Sequence, residues 1–198
     1  MIVFYKERLV ILCVPKTGTT ALHSALRDRA DMVISDPPGL KHTALYRYNR
    51  FIRPMYEKIC GVELEPMAIM REPIDWLGSW YRYRRRPFTL GKPVSTHNVS
   101  FDEFVRGYAK GKPPAFANVG SQARFLEAQP NGTRMKHLFR YETPSKYLSF
   151  LEDRLDISLN LKRENVSPEL ATPLSPEVEA ILRRKCAEEF DLYNSIAP

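Results

Sequence analysis

The residues best suited to chemistry form one short run, which reads Lys16, Thr17, Gly18, Thr19, Thr20. The apolar residues before the run predict a buried strand, and those after it predict a helix. Backbone N–H groups at the start of a helix, together with the helix dipole, attract an anion. Lys16 adds a mobile positive charge. The run therefore predicts a cradle for a phosphate or a sulfate group.

Arg71 and Ser79 form a second candidate anion site later in the chain. Arg71 directly follows an apolar segment at residues 66–70, which predicts a strand, and open α/β sheets bind ligands at the carboxyl ends of their strands. Pro73 suits the first turn of a helix that would carry Ser79. A guanidinium group matches the oxygens of a phosphate. The pair thus favours a second phosphate site.

Strand and helix patterns alternate along the chain and explain how these residues would be positioned. The predicted strands cover residues 9–14, 32–34, 66–70 and 135–141. The predicted helices begin near residues 19, 43, 73, 100, 121, 143 and 175, with Thr19 and Thr20, the Ser100 and Glu103 capping box, and Thr143 as caps. We expect one α/β domain over residues 1–198, with a central, mainly parallel sheet flanked by helices.

Composition limits the class of protein further. The chain has 198 residues, 43% of them hydrophobic, and a formal charge of +7, which favours anionic partners. It contains no apolar run of the roughly 20 residues that cross a bilayer, so we expect no membrane span. The cysteines and histidines show neither a disulfide framework nor metal-ligand spacing, and we expect a cytoplasmic protein without a metal. The cysteines are Cys13, Cys60 and Cys186.

The cradle differs from the phosphate loop of nucleotide triphosphatases. That loop follows the pattern G-x-x-x-x-G-K-[ST], in which the lysine comes after the second glycine. Here Lys16 precedes Gly18, and no predicted strand ends in a clear Mg²⁺-binding aspartate. A nucleotide kinase therefore remains only an alternative.

Three landmarks together are similar to those of the PAPS-dependent sulfotransferases, which use 3′-phosphoadenosine 5′-phosphosulfate. They are the run from Lys16 to Thr20, the pair Arg71 and Ser79, and Arg140-Tyr141-Glu142 ahead of a helix. Pro15 and Lys41-His42 make the chain resemble the carbohydrate-type and bacterial members most. The resemblance implies the sulfotransferase variant of the P-loop NTPase fold.

The same resemblance implies a role for each landmark. Residues 17–20 would hold the 5′-phosphate of PAPS, and Lys16 would stabilise the bridging oxygen as the sulfuryl group leaves. Arg71 and Ser79 would bind the 3′-phosphate. The acceptor would be a hydroxyl, for instance of a carbohydrate, with an amine as an alternative, and the product would be adenosine 3′,5′-bisphosphate (PAP).

Transfer to a hydroxyl needs a base near the acceptor, and His42 is our candidate because imidazole titrates near neutrality. The alternatives left open are Asp36, Glu72, His23 and His97. Two further groups have less defined roles. The basic and aromatic run at residues 81–86 keeps a non-enzymatic nucleic-acid or polyanion-binding protein as an alternative. The glycine-rich phosphate loop that cytosolic sulfotransferases have near their C-terminus is not recognisable in this sequence. A second group at a similar late position could replace it: Lys162, Arg163, Asn165, Val166 and Ser167.

Overall fold

The computed structural model describes residues 1–160 and 170–198. These residues form two compact units. The first unit contains the described residues 1–71, 122–160 and 196–198, and the second contains residues 72–121 and 170–195. The late candidates Lys162, Arg163, Asn165, Val166 and Ser167 lie outside the described residues.

The first unit is built on a mixed sheet, whose five strands within the described residues have the order β3-β1-β2-β4-β5. The strands are β1 (Ile2–Phe4), β2 (Leu9–Ile11), β3 (Met32–Val33), β4 (Glu65–Met70) and β5 (His137–Arg140). Strands β2, β4 and β5 pair in parallel, whereas β1 pairs antiparallel with both β2 and β3. The α/β class is therefore confirmed, and the predicted parallel pairing holds for half of the sheet.

Strand β1 was not predicted, and it explains the antiparallel half. A tight turn joins β1 to β2, in which the Arg8 N–H donates to the Tyr5 carbonyl at 3.2 Å and Arg8 has a φ of 51°. Lys6, Glu7 and Arg8 interrupt the apolar pattern at this turn. A short hairpin requires antiparallel strands.

The helices in chain order are α1 (Thr19–Leu26), α2 (Pro38–Lys41), α3 (Leu45–Arg47), α4 (Arg53–Cys60), α5 (Pro73–Tyr83), α6 (Phe101–Tyr108), α7 (Gln122–Leu126), α8 (Pro144–Leu155), α9 (Pro176–Lys185) and α10 (Ala187–Asn194). The helix predicted over residues 43–58 is divided, because a π-helical turn, Tyr48–Ile52, separates α3 from α4. The capping box of Ser100 and Glu103 is confirmed. Thr143 is the N-cap residue of α8, as predicted, but its side chain does not make a capping hydrogen bond, because its hydroxyl donates to the Arg140 carbonyl.

Each unit has its own apolar core. In the first, side chains of β1, β2, β4 and α8, such as Phe4, Ile11 and Leu151, are fully buried. In the second, Trp76 and Tyr81 of α5 pack with Phe104 of α6 and Leu182 of α9. None of the helices within the described residues has both the length and the apolar composition that a membrane crossing needs.

The parallel register brings three segments to one edge of the sheet. The Leu12 N–H donates to the Met67 carbonyl, and the Tyr141 N–H donates to the Met70 carbonyl, both at 2.8 Å. Met70 pairs with Arg140. The chain after β2, after β4 and after β5 therefore leaves the sheet at its carboxyl edge, where ligands bind in such sheets.

Candidate anion-binding site

The loop between β2 and α1 has an unusual backbone. Lys16 and Gly18 both adopt left-handed conformations, with φ values of 68° and 72°. Gly18 is the N-cap of α1, so the prediction that Thr19 and Thr20 cap this helix was wrong: they are its first two residues. The first hydrogen bond of the helix runs from the Ala21 N–H to the Gly18 carbonyl at 3.1 Å. The N–H groups of Thr19 and Thr20 thus have no acceptor within the helix and suit an anion.

The buried side chain of Thr17 stabilises the loop. Its hydroxyl donates to the Val14 carbonyl at 2.9 Å, and only 1% of the residue is exposed. Because its hydroxyl proton is held there, Thr17 would bind an anion through its backbone N–H. Gly18 is exposed at the surface of the loop, and Thr20 is half-buried.

Lys16 carries a conformational cost, because a left-handed conformation disfavours a residue with a Cβ by roughly 1–2 kcal/mol. The side chain of Arg71 supports this conformation: its Nη1 donates to the Lys16 carbonyl at 3.2 Å. The two cationic residues predicted from the sequence are therefore neighbours at the carboxyl edge of the sheet.

Arg71 is itself held by two residues that the sequence did not identify as partners. The Arg71 N–H donates to Gln122 Oε1 at 3.0 Å, and Gln122 Nε2 donates to the Arg71 carbonyl at 2.9 Å. Gln122 is fully buried. The Arg71 guanidinium stacks on the Tyr141 ring, with its Cζ 4.6 Å from the ring centroid. The stacked arrangement is a favourable cation–π contact.

His42 lies beside the same loop. Its Nδ1 is 2.7 Å from the Cys13 carbonyl oxygen. Burial lowers the pKa of His42, and the positive charges of Lys41 and Lys16 lower it further, whereas the hydrogen bond to Cys13 raises it. A carbonyl only accepts hydrogen bonds, so Nδ1 carries the proton of the neutral ring and Nε2 carries a lone pair. His42 therefore has the protonation state that a general base requires.

His23, an alternative base, is buried beside Cys13. Its Nε2 is 3.1 Å from the Cys13 Sγ, and 7% of the residue is exposed. Burial lowers the pKa of His23 to about 4 and raises the pKa of Cys13. The pair is thus neutral near pH 7 and links α1 to the segment that follows β2.

The other candidate residues differ in their exposure and in their hydrogen bonds. Asp36 is exposed. Three candidates belong to the second unit: Glu72 caps α5 by accepting from the Asp75 N–H at 2.8 Å, His97 Nδ1 is 2.8 Å from Ser95 Oγ, and Ser79 lies on α5 with 4% of its surface exposed. Burial raises the pKa of Glu72. The proposed part of Ser79 in a phosphate site stays a prediction.

The basic and aromatic run at residues 81–86 supports local structure in the second unit. Arg84 donates to the carbonyls of Ala115 and Asn118, at 2.6 and 2.7 Å, while its guanidinium faces the Trp80 ring. Arg85 donates to the Thr96 carbonyl at 3.2 Å. These contacts connect the segments before and after α6. Two of the four arginines in the run thus have partners within the protein.

Comparison of the chain with protein-family models and with curated proteins finds no match. Within the described residues, no three side chains of histidine, cysteine, aspartate or glutamate are grouped to hold a metal ion. The site consists of a loop with a left-handed backbone, two cationic side chains and a neutral imidazole.

Gly18 provides a test of the loop geometry. A Cβ on Gly18 would lie 3.3 Å from Tyr141 Cε2, whereas a Cβ on Gly61, which has a similar φ of 65°, would meet nothing within 4 Å. We expect both Gly18→Ala and Gly61→Ala to lower the free energy of unfolding by roughly 1 kcal/mol, because both backbones are left-handed. Gly18→Ala should also displace Tyr141 and weaken anion binding.

Urea unfolding and calorimetric titration with PAP measure the two effects separately. Gly61→Ala is the control, since it carries the same backbone penalty without the contact to Tyr141. If Gly18→Ala bound PAP as tightly as Gly61→Ala does, the close approach of Tyr141 to the loop would have no importance for the site.

Proposed function

We propose that this protein is a PAPS-dependent sulfotransferase that transfers the sulfuryl group of PAPS to a hydroxyl acceptor, such as that of a carbohydrate, and releases PAP. An amine is the alternative acceptor. The observation that carries the proposal is the pairing of Lys16 and Arg71, in which Arg71 Nη1 donates to the Lys16 carbonyl at 3.2 Å. PAPS bears separate anionic groups on its 5′ and 3′ oxygens, and the site offers one cationic side chain for each.

The loop would receive the 5′-phosphosulfate. The N–H groups of Thr17, Gly18, Thr19 and Thr20 belong to the loop and to the first turn of α1, where the helix dipole also favours a negative charge. The Lys16 side chain begins at the edge of this loop. It would supply a positive charge at the oxygen that bridges phosphorus and sulfur.

Arg71 would bind the 3′-phosphate. Its guanidinium donates to the Lys16 carbonyl through Nη1, and the fork geometry of a guanidinium matches the oxygens of a phosphate. A guanidinium stacked on an aromatic ring keeps a fixed plane, and this plane suits two-point binding of a phosphate. The 3′-phosphate distinguishes PAPS from ATP and ADP, so this residue would determine nucleotide specificity.

His42 would act as the general base. Its neutral ring, oriented by the Cys13 carbonyl, would accept the acceptor's hydroxyl proton at Nε2. The acceptor oxygen then forms a bond to sulfur, and the bond between sulfur and the bridging oxygen breaks. The electron pair of that bond stays on the departing phosphate oxygen of PAP, where the Lys16 ammonium stabilises the developing charge.

Acceptor-dependent release of PAP tests this proposal. The protein would be incubated with PAPS and a panel of sugars, phenols and amines, and PAP would be separated and quantified. We expect at least one hydroxyl compound to accelerate PAP formation over the rate without acceptor, and a sulfated product in equal amount. A protein that instead transferred the γ-phosphoryl group of ATP in the presence of Mg²⁺ would be a kinase.

A further inference from the structure

Four residues at the site form a closed circuit of contacts. Lys16 accepts a hydrogen bond from Arg71 through its carbonyl, Arg71 stacks on the ring of Tyr141, and Tyr141 Cε2 approaches Gly18, where a Cβ would lie 3.3 Å away. Gly18 is two residues from Lys16, so the chain itself completes the circuit. The circuit therefore links the residue after β4 and the residue after β5 to both left-handed positions of the anion loop.

The circuit is anchored in the sheet at two points. The Tyr141 N–H donates to the Met70 carbonyl at 2.8 Å, which continues the pairing of β5 with β4. Gln122 pairs with the backbone N–H and carbonyl of Arg71, at 3.0 and 2.9 Å, as a neighbouring strand would. Because Gln122 is fully buried, this amide is protected from competition by water.

We propose that Gln122 and Tyr141 are positioning residues that hold Arg71 against the Lys16 carbonyl, and we call these two residues the clamp. Together they fix the left-handed backbone of Lys16 and Gly18 before a ligand binds. An anion at the Arg71 guanidinium and an anion at the loop are then energetically coupled, because movement of Arg71 releases the Lys16 carbonyl. The part of this inference that concerns PAP rests on the proposed function.

The coupling has a consequence for specificity. The 3′-phosphate of PAP would order Arg71, and Arg71 would in turn order the loop that holds the 5′-phosphate. Loss of the clamp should therefore reduce the affinity for PAP more than the affinity for AMP, which lacks the 3′-phosphate. If Tyr141 or Gln122 had a purely structural role, its substitution would lower the affinities for PAP and for AMP equally.

The experiment compares Tyr141→Ala with Tyr141→Phe, which keeps the ring and removes only the hydroxyl. Amide hydrogen exchange of the unliganded protein reports the order of residues 16–20, and calorimetry gives the affinities for PAP and AMP. Gln122→Met, of similar shape but unable to make the two hydrogen bonds, is the second clamp variant. Ile2→Val in β1, a fully buried position separated from β4 by β2, controls for general destabilisation.

We expect Tyr141→Ala and Gln122→Met to accelerate exchange at residues 16–20 and to lower the ratio of PAP to AMP affinity by about tenfold, a typical coupling between two sites. Tyr141→Phe and Ile2→Val should match the wild-type protein in both measurements. Unchanged exchange in Tyr141→Ala and Gln122→Met, or an unchanged affinity ratio, would overturn the inference. If the wild-type protein did not prefer PAP to AMP, the proposed function would fail, while the exchange data would still decide whether the clamp exists.

Discussion

We expect the replacement of Lys16 by alanine to lower the rate of PAP formation by about 10²–10³-fold, because in the proposed transfer the charge that develops on the bridging oxygen loses its positive partner. The effect falls on the rate of transfer more than on nucleotide binding. The loop amides and Arg71 remain in place, and Arg71 contacts the backbone carbonyl of residue 16, which an alanine also provides. Stopped or continuous PAP-release assays under saturating PAPS measure this loss.

Lys58→Ala is the matched control, since it removes one lysine from α4 at an exposed position. It should leave the rate unchanged within about twofold, as surface substitutions usually do. Full turnover by Lys16→Ala would show that the residue has no part in transfer. A loss of PAP affinity without a loss of rate would place Lys16 in ground-state binding only.

We expect the replacement of His42 by alanine to lower kcat/KM by about 10²–10⁴-fold, the usual contribution of a general base, which is the role we propose for this residue. His42→Asn should be equally slow, although its amide nitrogen, which takes the place of Nδ1, can still donate to the Cys13 carbonyl, because an amide does not accept a proton at neutral pH. The two variants together separate the chemistry of the imidazole from its hydrogen bond to the backbone.

The pH profile gives a second readout for His42. Since burial lowers the pKa of His42 below its ordinary value of 6.5, the ring stays neutral until the pH falls through that lowered pKa. The proposed activity of the wild-type protein should therefore decrease on the acidic side of this pKa, and the His42 variants should lack this acidic limb. His137→Gln, which changes a histidine bonded to Glu65 of β4, is the control. An unaltered acidic limb in His42→Ala would assign the base to another residue.

Local sequence patterns predicted the elements that carry the site, because those elements depend on interactions close in the chain. The apolar run before Pro15 became β2, residues 66–70 became most of β4, and the capping box at Ser100 begins α6. Strand β1 was missed, since three charged residues between β1 and β2 obscure a hairpin of two very short strands. The π-helical turn was missed because residues 43–58 show continuous helical periodicity.

The clamp around Arg71 could not be predicted from local pattern. Gln122 lies 51 residues after Arg71, and their pairing depends on where α7 begins relative to the end of β4. Tyr141 belongs to the Arg140-Tyr141-Glu142 motif, for which the sequence predicted no contact. The parallel register of β4 and β5 brings the Tyr141 ring to Arg71. Long-range pairing of this kind leaves no periodic signal in the sequence.

Calorimetric titration with PAP and with AMP tests the central claim most directly, because the two ligands differ only in the 3′-phosphate. Hydrogen bonds to a charged group contribute about 1.5–3 kcal/mol, so PAP should bind roughly 10–100-fold more tightly than AMP. Arg71→Ala should remove this difference. Equal affinities for PAP and AMP in the wild-type protein, or tighter binding of Mg²⁺·ATP than of PAP, would contradict the assignment.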